Sequence, residues 1–253
     1  MRKLKLILLC LLFTMKIFSD PKGDEIMKKN DSLKKANDSY SLTTMILINS
    51  QGDKKVRQLK MYSKEATDGT NSFIEFVEPA DVKGTRFLTI GHKKGDDEQR
   101  LYLPALGKVR RISSSKKGGS FMGSDLNYFD MEDHDLTDFK YQYLRDGNYS
   151  TMDCFVVEMI PLQDNAPYSK QIAWINKANY YVYKVECYEK NNQKDPMKTI
   201  VFLEVTNYQG VLLPQKMVVD HHFNKHKTLL SMTEQKVNIG LKDSIFSIQN
   251  LTK

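Results

Sequence analysis

The chain has 253 residues, of which 40% are hydrophobic and 27% are charged, and its formal net charge at pH 7 is +7. This balance excludes a disordered chain, because the apolar residues are numerous enough to bury a core. Lysine and arginine residues are spread along the whole sequence, which is typical of a solvated surface rather than of a nucleic-acid-binding stripe. The positive net charge is compatible with a mild attraction of the chain to anionic membrane surfaces.

Residues 1–19 have the pattern of a secretory signal peptide. Arg2, Lys3 and Lys5 precede the apolar run LILLCLLFTM, and Ser19 is a small residue at the expected cleavage point. The run is shorter than the roughly twenty apolar residues that a transmembrane helix needs. We therefore expect a cleaved leader and an exported mature chain.

The best helix candidate is residues 24–38. Ile26, Met27, Leu33 and Ala36 lie loosely along one side of that helix. This helix is one of the two segments that the sequence offers as a cover for a sheet.

The pattern in the rest of the chain predicts short strands. They are separated by turn sequences such as DGTN, KKGDD, DGN and KAN. The spacing predicts about eleven or twelve strands with almost no helix between them. The connections are too short for crossover helices, which excludes a parallel α/β sheet. We predict one mainly β domain over residues 20–253, an antiparallel meander curled into a barrel or half-barrel.

Several strands carry apolar residues on both faces, for example CFVVEMI (residues 154–160) and TIVFLEV (residues 199–205). Such strands must be covered on both sides. The helix and residues 121–129 are the available covers, and they are small for this sheet. The imbalance leaves room for a cavity.

Residues 113–125, SSSKKGGSFMGSD, place lysines before glycines, whereas a phosphate-binding P-loop has the reverse order. We interpret this stretch as a flexible basic hinge. The apolar side chains that follow, Phe121, Met122 and Phe129, would then form a lid at the mouth of the cavity.

No arrangement of catalytic residues stands out. There is no GxSxG elbow, and His221 and His222 point to opposite faces of a predicted strand, so they do not share a metal. We expect no enzyme activity, no cofactor and no metal. After the leader only Cys154 and Cys187 remain. The sequence allows two alternatives for them, a disulfide bond between the two or two buried free thiols.

Three ordered pieces within residues 76–131 resemble the periplasmic outer-membrane lipoprotein-sorting proteins. These pieces are EPADVKGT, LYLPALGKVRRI and GSFMGSDLNY. The resemblance is to the LolA/LolB-like carriers, in the branch associated with RND or MMPL-type exporters. It implies an incomplete, half-open antiparallel barrel of about eleven strands, with an N-terminal helix and a loop or helix lid over a hydrophobic cavity.

The resemblance also implies a function, namely binding of lipid or of lipoprotein acyl chains in the periplasm and their delivery to the outer membrane. The expected cavity residues are Phe76, Phe87, Leu88, Leu101, Leu103, Val109, Phe121, Met122, Phe129, Phe155, Val157, Trp174 and Val185. Arg110 and Arg111 are candidates for contact with a lipid head group or a partner protein. Strand register decides which of these residues face inward, since a slip of one residue reverses the face.

The expected partners are a lipid or an acylated lipoprotein, an inner-membrane exporter and an outer-membrane acceptor, with no nucleic acid. The chain is expected to be a monomer. The alternative function is an accessory binding module of an inner-membrane exporter that carries no lipid. Uptake of an acyl probe separates the two.

Overall fold

The computed structural model describes residues 20–253, so the expected leader lies outside the described residues. The α-helix of this part of the chain, α1 (Pro21–Asp31), is capped by Asp20, whose carboxylate accepts a 3.0 Å hydrogen bond from the Lys22 N–H. Pro21 stands in the first turn, where its missing N–H is not needed. No helix within residues 20–253 is long and apolar enough to cross a membrane.

The predicted helix bounds were wrong at both ends, since α1 starts before Asp24 and stops at Asp31 rather than at residue 38. The chain turns at Ser32, whose N–H closes the last helical turn on the carbonyl groups of Lys28 and Asn30. Residues 33–37 then lead directly into the first strand.

In the described part of the chain, thirteen strands make up one antiparallel sheet, slightly more than the eleven or twelve predicted. The strands are β1 (Asp38–Ile48), β2 (Lys54–Ala66), β3 (Gly69–Glu78), β4 (Arg86–Ile90), β5 (Glu98–Leu103), β6 (Lys108–Ile112), β7 (Phe139–Tyr149), β8 (Met152–Pro161), β9 (Tyr168–Asn176), β10 (Val182–Glu189), β11 (Lys198–Tyr208), β12 (Val211–His221) and β13 (His226–Val237). The mainly β, antiparallel architecture is confirmed.

The sheet consists of two meanders joined at its centre by the pairing of β1 with β13. Strands β1 to β6 run outward to one edge, and β13 to β7 run outward to the other, so the sheet is a half-open barrel. The connection between β6 and β7, residues 113–138, must therefore travel from one edge of the sheet to the other. We call it the crossing segment.

One face of the sheet, the inner face, packs against both α1 and the crossing segment. Ile26 and Met27 of the helix and Phe121 and Phe129 of the crossing segment belong to one buried cluster with side chains such as Phe76 of β3. Each of these aromatic rings buries a large apolar surface against the sheet. The crossing segment is therefore part of the main hydrophobic core.

The opposite, outer face carries separate clusters. Phe73 and Leu88 pack there against Phe246 and Leu251, which lie in the C-terminal residues 241–253. Successive strand residues point to opposite faces, so Phe73 on the outer face and Ile74 on the inner face follow directly from the pleat.

Candidate functional site

Two neighbouring cavities lie on the inner face of the sheet within residues 20–253. One has a volume of about 400 Å³ and the other of about 320 Å³. Ser39, Ser63 and Leu213 line both. We call the first the lysine lobe, because Lys34 and Lys35 line it, and the second the methionine lobe.

Four methionines line the methionine lobe: Met61 of β2, Met131 of the crossing segment, Met217 of β12 and Met232 of β13. Each strand methionine is on the inner face and packs against the main core cluster. Methionine is unbranched and polarisable, so such a wall adapts to a flexible apolar group. The remaining apolar walls include Ile74 and Leu230.

The lysine lobe reaches solvent beside the end of α1. Its rim includes the exposed side chains of Lys34, Lys35 and Glu65. The Lys34 ammonium donates to the Gln209 carbonyl at 2.7 Å, and the Lys35 ammonium pairs with Asp31 at 3.0 Å. The mouth of the cavity is thus bordered by two cations held at its edge.

The crossing segment is fixed to the sheet by a buried charge centre around Asp130. The Lys198 ammonium of β11 lies 2.5 Å from the Asp130 carboxylate and also donates to the Asp125 carbonyl at 2.8 Å. The Tyr168 hydroxyl donates to the other Asp130 oxygen at 2.6 Å. All three side chains are almost fully buried, so each charge has its partner within the protein.

A second buried ion pair lies within the crossing segment itself, between Lys117 and Glu132. Both side chains are at most 2% exposed, and Asp96 lies 3.4 Å from the same ammonium. Burial raises the pKa of Glu132 to about 7, against the opposing effect of Lys117. Glu132 also lines the methionine lobe, so this pair lies directly beside the cavity.

Three further contacts tie the crossing segment to separate strands. The Thr228 hydroxyl of β13 donates to Asp125 at 2.7 Å, and the Gln99 amide of β5 donates to the Tyr128 carbonyl at 2.8 Å. Arg57 of β2 donates to the Met122 carbonyl at 2.5 Å. The flexible basic hinge expected from the sequence is therefore not what the structure shows, because Lys117 is buried in an ion pair and the stretch that follows is anchored.

A solved domain from Vibrio parahaemolyticus described as an outer membrane lipoprotein-sorting protein has the same fold. It is 34% identical in sequence, with coverage of 92% of this chain and 99% of the Vibrio domain, and a TM-score of 0.88. The chain belongs to this lipoprotein-sorting family. A DUF1329 family protein from Desulfovibrio piger is 30% identical over 91% of this chain and 98% of its own, with a TM-score of 0.86.

A more distant neighbour shares the fold of this lipoprotein-sorting family. A LolA superfamily protein from Nitrosomonas europaea is 21% identical over 90% of this chain and 98% of its own, with a TM-score of 0.70. A family model described as "Uncharacterized protein" matches residues 68–253. No curated protein matches the chain at a significant level. The resemblance to the sorting proteins that the sequence motifs indicated is confirmed.

The structure of this sorting-family protein brings ten of the thirteen predicted cavity residues into the inner-face core. These ten are Phe76, Phe87, Leu101, Leu103, Phe121, Met122, Phe129, Phe155, Val157 and Val185. None of them lines the lysine lobe or the methionine lobe. They fill the space beside the lobes, where the crossing segment packs tightly, so the lining differs from the one predicted.

Leu88, Val109 and Trp174 were placed on the wrong face. Leu88 and Val109 lie in the outer cluster under the C-terminal residues, and Trp174 packs with Cys154 and Val156 in another outer cluster. Each is one residue away from an inward-facing neighbour, and the strand pleat reverses the face at every step.

Sequence reasoning missed the residues that line the lobes, above all Met61, Met217 and Met232. Their signal was present, since Met217 and Met232 lie in predicted strands and methionine is abundant in the chain. What was missing is the pairing of β1 with β13, which brings the two halves of the sheet together around these side chains.

Arg110 and Arg111 are both exposed on the edge strand β6. Arg110 stands opposite Leu101 and Arg111 opposite Arg100, so the two arginines point to opposite faces, as expected. Neither lines a lobe. Their contact with a head group or partner stays a prediction.

The two cysteines do not form a disulfide. Cys154 is buried in an outer cluster and Cys187 in the inner-face cluster, and both are free. Because they lie on opposite faces of the sheet, bridging them would require a large rearrangement. Within residues 20–253, no group of three or more histidine, cysteine or acidic side chains is arranged to hold a metal ion.

Proposed function

We propose that this protein is a periplasmic carrier that holds an acyl chain of a lipid or of a lipoprotein in the methionine lobe. The observation that carries the proposal is the location of this lobe, on the inner face of a sheet of the lipoprotein-sorting family and under an anchored crossing segment. The solved Vibrio relative is described as an outer membrane lipoprotein-sorting protein.

Binding in such a carrier is driven by the burial of the apolar acyl chain away from water, and no covalent bond is made or broken. Each methylene group that leaves water contributes about 0.8 kcal/mol, so an acyl chain of moderate length supplies enough free energy for reversible binding. Small-molecule cavities typically have volumes of about 300 to 1,000 Å³, and the two lobes of about 400 and 320 Å³ fall in this range. The non-enzymatic carrier needs no cofactor.

The proposed location follows from the sequence. Residues 1–19 have the features of a secretory leader, and the family is named for lipoproteins of the outer membrane. A carrier between two membranes must shield an acyl chain from water and then release it to a partner with higher affinity. The chain would act as a monomer, receive cargo at the inner membrane and deliver it to an outer-membrane acceptor.

Titration with a fluorescent fatty acyl probe tests the proposal. Met217→Asp and Met232→Asp each place a carboxylate in the methionine lobe, and we expect each to weaken probe binding by about tenfold or more, because a buried unpaired charge is costly. Met152→Asp is the matched control, since Met152 packs on the outer face. Wild-type affinity in both lobe variants, with unchanged circular dichroism, would contradict the proposal.

The alternative is an accessory module that docks on an inner-membrane exporter without carrying lipid. One observation favours it, namely the exposed Arg110 and Arg111 on the edge strand β6, which pairs with β5 on one side and with no strand of the sheet on the other. An edge strand offers free backbone groups to a partner. A chain that takes up no acyl probe but co-purifies with an exporter would support this alternative.

A further inference from the structure

A row of hydroxyl side chains crosses the inner face at the junction of the two lobes. Ser39 of β1 stands directly opposite Ser63 of β2, and Ser63 stands opposite Ser72 of β3. Directly opposed residues of neighbouring strands point to the same face. Ser39 and Ser63 line both lobes, and Ser72 lines the methionine lobe. We call these three residues the hydroxyl row.

The hydroxyl row has free hydrogen-bonding capacity. Within residues 20–253, none of the three serine hydroxyls makes a hydrogen bond to the protein. Ser41, which also lines the methionine lobe, differs in this respect, because its hydroxyl lies 3.1 Å from the Thr43 hydroxyl. Three hydroxyl groups without a partner in the protein therefore face one junction, whereas the carboxylates that line the methionine lobe, Asp130 and Glu132, are paired with Lys198 and Lys117.

The same row continues under the crossing segment. Ser72 stands opposite Thr89, and Thr89 stands opposite Gln99. Both of these side chains are at most 1% exposed, and the Thr89 hydroxyl and the Gln99 carbonyl oxygen have no hydrogen-bond partner among the described residues. Thr89 and Gln99 line neither lobe, so the groups of this line that a ligand can reach are the partly exposed hydroxyls of Ser39, Ser63 and Ser72.

The chemical groups that line the two lobes follow one another in the same order as the parts of an ester-linked lipid. Cations stand at the mouth, where Lys34 and Lys35 border the lysine lobe. Hydroxyl donors follow at the junction, and methionines line the far lobe. A lipid with a polar head, an ester linkage and an alkyl tail presents its groups in the same sequence.

We propose that the hydroxyl row binds the ester carbonyl of the cargo, so that the linkage itself, and not only the tail, lies inside the protein. This inference rests on the carrier function proposed above. A purely hydrocarbon chain at the junction would displace water from Ser39, Ser63 and Ser72 without giving them an acceptor, and leaving buried donors unpaired is unfavourable. An ester carbonyl supplies that acceptor.

A pair of matched ligands tests the inference without altering the protein. Palmitoyl lysophosphatidylcholine and its hexadecyl ether analogue share the head group and the chain length, but the ether lacks the carbonyl oxygen. Each is used to displace a fluorescent acyl probe from the wild-type chain. We expect the ester to compete about threefold to tenfold better, which corresponds to one or two net hydrogen bonds.

Variants then assign the effect to the hydroxyl row. The triple variant Ser39→Ala/Ser63→Ala/Ser72→Ala should bind ester and ether equally, because all three donors of the hydroxyl row are removed. Ser231→Ala, on the outer face next to Met232, should keep the wild-type preference. Equal competition by ester and ether in the wild-type chain would overturn the inference while leaving the carrier function intact, whereas competition by neither would overturn the carrier function itself.

A third arm identifies the source of the ester. A synthetic diacylglyceryl-cysteine peptide carries the same linkage in the form found on lipoproteins. Stronger competition by this peptide than by the lysophospholipid would assign the site to lipoprotein acyl chains, and the reverse order would assign it to membrane lipids. Either order supports an ester site, provided that the preference for ester over ether is present.

Discussion

Individual charged residues decide how the crossing segment is held. Lys117 and Lys198 are both almost completely buried, and each is paired with a carboxylate of the crossing segment, Glu132 and Asp130 respectively. Taking two charges out of water offsets much of their mutual attraction, so such pairs add little net stability compared with apolar residues. Losing one partner is far more costly, because the other charge is then buried alone. We infer that these pairs fix the position of the segment.

The Lys117–Glu132 pair leads to a pH-dependent prediction. Burial raises the pKa of Glu132 from its ordinary value of 4.5 to about 7, so between these values the folded state holds a proton that the unfolded state has released. The contribution of Glu132 to stability is therefore full below pH 4.5 and is lost as the pH rises through about 7. Lys117→Met should remove about 3 to 5 kcal/mol at pH 8, where Glu132 is charged, and distinctly less at pH 5.

Urea unfolding at the two pH values measures this difference. Lys116→Met is the control, because Lys116 is the exposed neighbour in the same segment and should leave both stabilities near those of the wild type. The same loss of stability at pH 5 and pH 8 in Lys117→Met would show that the charge state of Glu132 does not govern the pair.

At the scale of elements, the C-terminal residues 241–253 act as a cover for the outer face. Phe246 and Leu251 are buried against Phe73 of β3 and Leu88 of β4. Arg86 of β4 adds a 2.8 Å ion pair to Glu75 at the edge of the same patch and donates to the Lys253 carbonyl. This cover lies on the face opposite to both cavity lobes.

Removing the apolar contacts of this cover should reduce stability but not binding. We expect Phe246→Ala/Leu251→Ala to lower the free energy of unfolding by about 3 kcal/mol or more, since large-to-small changes in a core leave cavities. The acyl probe should bind with wild-type affinity when the variant is folded. Ile248→Ala, an exposed position in the same segment, should change neither quantity. Weaker probe binding in the folded double variant would mean that the cargo site extends to the outer face.

Local sequence signals were enough to predict the strands but not the surroundings of the cavity. Alternating apolar residues and turn sequences are short-range features, so the antiparallel architecture could be predicted from them. The start of α1 was missed because the helical pattern was counted from Asp24, so the cap residue Asp20 and the proline of the first turn were left outside the predicted helix. The C-terminal end was missed because residues 33–37 have helical composition but lead into β1.

The predicted cavity lining depended on long-range information that one sequence does not contain. Phe121 and Phe129 are buried in the inner-face core, and their position depends on anchors such as Lys198, which lies far away in sequence. The face of Trp174 depended on strand register, which was uncertain by one residue. The methionine lobe exists only because β1 pairs with β13.

For the whole molecule, the open sheet and the crossing segment together explain why there is a cavity at all. Within residues 20–253, thirteen strands form a large curved surface, and α1 and the crossing segment cover only part of its inner face. The part under Phe121 and Phe129 is filled, and the part between β12, β13, β1 and β2 is not. The unfilled part is where the methionines and the hydroxyl row lie.

Native mass spectrometry of the chain shows directly whether the inner-face cavity holds an acyl lipid. The full sequence is expressed with its leader so that the protein meets membrane lipids, and it is purified without detergent. We predict a species heavier than the bare chain by the mass of one lipid, which is released on unfolding and is strongly reduced in Met217→Asp/Met232→Asp. A spectrum that contains only the bare chain, even after incubation with phospholipid vesicles, would contradict the proposal that the inner-face cavity binds an acyl lipid.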